Sequence, residues 1–207
     1  MSALGAVLDD VIARYAGGAY EAEAARARAA FVEATGRVFD DDPMFEERMG
    51  AFLEWFVLER PMDTADLRPI DRYRREVALE PAAQGLADAL AASHWSLFEV
   101  LELGNGRAQV EDLLAGGRFV VHERRKLTAI ETGDVFEARL VSVEGRTRFG
   151  RSFCFHPREA TATIRRSVAE AARRGQRKED VLFRLAERRL RCERYHNVHI
   201  ARLYATP

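Results

Sequence analysis

The sequence predicts an α+β protein with N-terminal helices, a central five-stranded antiparallel sheet that is a small barrel or a curled sheet, and two C-terminal helices. Residues 96–157 hold five strand-like runs separated by Gly-bearing turns, with no helix between them. Parallel pairing would need crossovers of about a dozen residues or more, usually helical, so consecutive strands pair antiparallel. On either side of this stretch, apolar residues recur at helical spacing.

The first helix spans residues 3–16, with Val7, Leu8, Val11, Ile12 and Tyr15 on one face, and Gly17-Gly18 stops it. The second, Tyr20 to Thr35, is rich in Ala, Glu and Arg, and Gly36 ends it. Asp40-Asp-Asp42-Pro43 predicts the start of a third, an acidic cap followed by Pro at the first helical position. Phe45, Met49, Phe52, Leu53, Phe56 and Val57 give that helix a broad apolar face, and Arg60-Pro61 ends it. Two shorter helices open at Pro69 and Pro81.

The strands are predicted at Ser96–Leu103, Arg107–Leu114, Arg118–Glu123, Val135–Val143 and Arg146–Phe155. Gly104-Asn-Gly106 has the turn chemistry of a tight hairpin, because Gly and Asn tolerate positive φ. After Pro157, a basic helix runs from Arg158 to Arg174, and a last helix from Lys178 to about Tyr204. The expected organisation is a helical region (1–95), a β-unit (96–157) and basic helices packed on it (158–207), together one compact domain.

The chain is 47% apolar and 31% charged, the balance of a soluble globular protein. No apolar run approaches the roughly 20 residues of a membrane span. Asp9 and Asp10 interrupt the first apolar stretch, which argues against a signal peptide. Two cysteines make no disulfide framework, so the expected location is the cytoplasm. From Arg158 onward, thirteen Arg and Lys face six Asp and Glu, an excess of +7; with a net charge of -1, the rest carries -8. Such polarity suits a nucleic-acid face or an acidic partner, and equally two halves that neutralise each other within a monomer or across a homodimer.

Two constellations bear on chemistry. On one unbroken last helix, Cys192, His196 and His199 share a face at i, i+4 and i+7. Thiolate and imidazole are zinc ligands, and Cys154 and His156, two apart on the fifth strand, would complete a site if that helix packed over the strand. Leu182, Leu185, Ile200 and Leu203 fall on the same face, where a small core cysteine and satisfied histidines would serve as well.

The second constellation is basic: Arg165, Arg166, Arg173, Arg174, Arg177 and Lys178 are candidate phosphate contacts, with Phe119, Phe136 and Phe149 as stacking platforms. Those phenylalanines sit at alternating strand positions, as core residues do, and the arginines alternate with acids, as on a solvated helix. Glu99, Glu102 and Glu111 alternate outward, the pattern of a wet sheet face. No nucleophile elbow, P-loop or dinucleotide turn is found.

Phe52-Leu-Glu-Trp-Phe-Val-Leu-Glu-Arg-Pro61, Pro69-Ile-Asp-Arg-Tyr73, Ser93-His-Trp-Ser-Leu-Phe-Glu-Val100, Glu111-Asp-Leu-Leu-Ala-Gly-Gly117, Gly133-Asp-Val-Phe-Glu-Ala-Arg-Leu-Val141 and Phe155-His-Pro157 follow one another in that order. The series resembles uncharacterised bacterial proteins often grouped under the SEC-C zinc motif. The Cys-x-Cys and Cys-Cys or Cys-His tail that defines SEC-C is missing, so the resemblance implies a fold neighbourhood and transfers no zinc ligand. The expectation is a non-enzymatic binding or scaffolding module with a protein or nucleic-acid partner, no membrane, and zinc as the only cofactor its residues suggest.

Overall fold

The computed structural model describes residues 2–62, 66–123, 130–195 and 199–205. They form two compact units. The first comprises residues 1–33, 37–94 and 141–145, and the second residues 34–36, 95–140 and 146–207.

The first unit is helical. Its helices are α1 (Ala3–Tyr15), α2 (Glu21–Thr35, whose last residues belong to the second unit), α3 (Phe45–Leu58), α4 (Pro69–Glu76) and α5 (Pro81–Ala91). Ser2 caps α1 by accepting from the Gly5 N–H at 3.1 Å. Val11, Tyr15, Phe56, Val57, Met62, Ile70, Tyr73, Ala87 and Leu90 are buried in this unit. The Arg68 guanidinium ties three of its segments together, donating to Asp71, to the Leu58 carbonyl at 2.8 Å and to the Ala91 carbonyl at 3.2 Å.

Helix α3 starts later than the acidic run predicts. Its first residue is Phe45, and Met44 precedes it without a side-chain cap. Asp42 spends its carboxylate on the Phe39 N–H, 2.7 Å away, closing the turn before the helix.

The second unit is built on the predicted sheet: β1 (His94–Gly104), β2 (Arg107–Asp112), β3 (Arg118–His122), β4 (Val135–Val143) and β5 (Arg146–Phe155). The order is β3-β2-β1-β4-β5, antiparallel and curled, so that β3 and β5 approach each other. Asn105 (φ 50°) and Gly106 (φ 70°) both adopt the left-handed conformation that a tight β1–β2 hairpin requires. Strand β2 stops at Asp112 because that carboxylate turns the chain, accepting from the N–H groups of Leu114 (2.8 Å) and Ala115 (2.9 Å) and from the Ser96 hydroxyl (2.7 Å).

Phe98, Val100, Ala108, Val110, Val121, Phe136, Ala138, Leu140 and Phe149 fill the concave side of the sheet. Phe119, Phe153 and Phe155 pack against them. Ring contacts of Phe136 with Phe149 (5.6 Å) and Phe155 (5.2 Å) knit this core.

Beyond β5, a single 3₁₀ turn (Arg158–Ala160) leads into α6 (Thr161–Arg173), α7 (Lys178–Arg194) and α8 (Ile200–Ala205). The predicted single last helix is therefore two. On one unbroken helix, residues 188 and 204 would stand about 24 Å apart. Instead the Arg188 guanidinium donates to the Tyr204 carbonyl at 2.7 Å, so α8 has folded back beside α7.

Candidate functional site

Strands β1 and β4 lie at the centre of the sheet and are buried along most of their length. Alternation sends Phe98, Val100, Phe136 and Ala138 into the apolar core and their neighbours to the opposite face. That second face is mixed: Leu97 and Val135 are buried there beside charged side chains. Glu99 is 7% exposed, Glu137 8% and Arg139 3%. A carboxylate this deep must be hydrogen-bonded, and both are. The Trp95 indole N–H donates to Glu137 at 2.9 Å, and Arg165 of α6 reaches Glu99 with its Nε at 2.9 Å and with Nη2. The bond to Glu99 holds the Arg165 guanidinium above its ordinary pKa. Trp95 also meets the Phe183 ring of α7 at 6.0 Å. Backbones run close here: a Cβ on Gly150 would lie 3.0 Å from the Arg139 Cβ. Glu99 is thus no part of a wet face, because α6 covers it; Glu102 is exposed as expected.

A second polar cluster lies where β5 ends. Cys154 is buried, and His156 is 6% exposed with its Nδ1 2.8 Å from the Tyr204 hydroxyl. Tyr204 is fully buried, its ring edge-on to the imidazole at 5.7 Å. The His156 Nε2 is buried without a hydrogen-bond partner. Burial, helped by the nearby Arg189 cation, pushes the imidazole down to about 3, so His156 is neutral at physiological pH. Arg189 itself spans the Cys154–His156 pair, donating Nε to the Phe155 carbonyl at 2.9 Å and Nη1 to Glu193 at 2.8 Å. Burial raises the Tyr204 hydroxyl pKa, and the Cys154 and Cys192 thiols add to the rise. Arg188 is pulled below its ordinary pKa by desolvation.

The packing that the metal reading requires, the last helices over the fifth strand, is present. The predicted helical spacing is not. Cys192 lies on α7, His199 is exposed and sits outside α7, just ahead of α8, and His196 lies outside the described residues. Among the described residues, no three His, Cys, Asp or Glu side chains are grouped to hold an ion. His156 already engages Tyr204, and Arg189 donates to the carbonyl of Phe155, the residue between Cys154 and His156.

The candidate phosphate contacts divide. Arg165 is bound by Glu99, Arg166 meets Thr163 at 3.2 Å, and Arg177 pairs with Glu179. Arg173 and Arg174, at the end of α6, are exposed, and Lys178 is half-buried at the start of α7. Phe136 and Phe149 are core residues and Phe119 packs against them, so none is a stacking platform. Sequence reading missed the buried charges of β4. Their signal is the alternation Val135-Phe-Glu-Ala-Arg-Leu140, two charged residues two apart inside the most apolar strand.

These features define an α+β protein with a curled five-stranded antiparallel sheet whose outer face buries charged side chains among apolar ones. The chain belongs to a family of unknown function, DUF7986, whose model matches residues 8–185. No curated protein and no solved structure gives a significant match. No described helix is long and apolar enough to cross a membrane.

Proposed function

We propose that this protein is a non-enzymatic binding module. One observation supports the reading: the buried carboxylates that catalysis would draw on are committed to internal bonds. Glu99 answers Arg165, Glu137 answers Trp95, and Asp112 closes a turn. A general acid or base needs a group free to meet substrate.

Nucleic acid is the ligand best matched to the surface left over. Arg173 and Arg174 stand in solvent at the end of α6, beside Arg177 and Lys178. With no aromatic platform alongside, such a surface reads phosphates and ignores base identity. Fluorescence anisotropy with a labelled single-stranded RNA and the matching DNA tests this. Binding should fall as salt rises, with a log–log slope of about 0.7 per phosphate contact. It should also fall steeply in the Arg173→Glu, Arg174→Glu double variant. Absence of binding at low salt removes the nucleic-acid reading.

A further inference from the structure

We infer that α8 is a reversible strap over a thiol–imidazole site, held shut by the Tyr204 side chain. This rests on the cluster at the end of β5 and is independent of the nucleic-acid reading.

Helix α8 is only six residues long, too short to persist on its own, so its contacts hold it. Ala201, Arg202 and Ala205 are exposed, Ile200 and Leu203 are half-buried, and Tyr204 alone is buried. Tyr204 is thus the buried anchor of a helix that also packs against α6, α7 and the 3₁₀ turn. Its socket is polar: the His156 imidazole at the hydroxyl and the Arg188 guanidinium at the carbonyl, with buried Cys154 two residues before His156 along the chain. The fit is incomplete, because the His156 Nε2 stays buried and unbonded while the plug is in place. An unmet buried polar atom costs free energy in the closed form alone, which lowers the barrier to opening. The rest of the unit does not depend on the plug, since the phenylalanine core lies on the other face of the sheet. Segments held by few buried contacts open locally, without global unfolding.

When closed, the strap occupies Nδ1 of the imidazole and keeps Cys154 buried. Opening offers a thiol and an imidazole, donors that soft metal ions and electrophiles select. The strap thus decides when this chemistry meets solvent.

The test is the labelling rate of Cys154 by N-ethylmaleimide, read by mass spectrometry of its peptide across a series of sub-denaturing urea concentrations. Wild-type labelling should rise with urea far less steeply than global unfolding does, because opening α8 exposes little surface. Tyr204→Phe, which keeps the ring and loses the bond to His156, should label about fivefold faster. Tyr204→Ala should label about a hundredfold faster or more, with the shallow dependence on urea kept. If Tyr204→Ala fails to fold, the wild-type urea slope and Tyr204→Phe still carry the test. Labelling as steep in urea as global unfolding overturns the strap. So does a Tyr204→Phe variant that labels at the wild-type rate.

Discussion

Two sets of arginines, alike in sequence, are treated in opposite ways. Arg188 and Arg189, in the middle of α7, turn inward and donate to the carbonyls of Tyr204 and Phe155. Arg173 and Arg174, at the end of α6, stand in water. Both sets sit among acidic residues on amphipathic helices. What separates them is where the guanidinium goes: those of α7 meet the peptide carbonyls of two other chain segments, whereas Arg173 and Arg174 are exposed. A guanidinium with five donors satisfies such carbonyls and holds chain segments together, so a basic helix need not be a binding helix.

The comparison breaks most readily at Arg188. Arg188→Ala leaves the Tyr204 carbonyl without its donor, and the expected cost is about 2–3 kcal/mol by urea denaturation. A loss below 0.5 kcal/mol, the ordinary size for a surface site, would place Arg188 with the exposed set.

Protonation of His156 ranks next. Its pKa is 6.5 in the unfolded chain and about 3 in the folded one, so the unfolded chain binds the extra proton. Its contribution is complete above pH 6.5 and is lost progressively as pH falls towards 3. At pH 5 the loss is about 2 kcal/mol relative to neutral pH. His156→Gln should flatten this part of the stability–pH curve, and an unchanged curve would mean that the imidazole is not buried neutral.

Arg165 is intermediate, half-exposed yet bonded to a buried carboxylate. Arg165→Ala should cost about 1 kcal/mol, less than a fully buried pair because solvent screens the exposed end. Pairing it with Glu99→Gln should recover part of that loss in a double-mutant cycle. Smallest of all, Arg173→Ala and Arg174→Ala should each change stability by under about 0.5 kcal/mol while weakening RNA binding.

Much of the fold was legible along the chain. Strands β4 and β5 begin and end where the alternation and turns put them, and α4 and α5 open at their prolines. Local rules govern these elements, and local rules are written in adjacent residues. The errors occurred where a distant partner outweighed the local pattern. Asp42 looked like a helix cap and became a turn acceptor. Glu99 alternated like a solvent-facing residue and was covered by α6. The helical period continued towards Tyr204, yet α7 ends at Arg194 because Tyr204 returns to His156 and Arg188.

The sequence by itself determined the α+β class, the five antiparallel strands with the β1–β2, β2–β3 and β4–β5 hairpins, and the phenylalanines of the core; the expectation that every consecutive pair would join failed at β3 and β4, because β4 pairs with β1. Period-2 alternation and glycine conformation are local properties, and the hydrophobic effect needs only the pattern to sort faces. The tertiary structure alone decided which charges are buried and which are free. A charged side chain carries no mark of its eventual partner, and its fate depends on what the folded chain brings within about 3 Å of it.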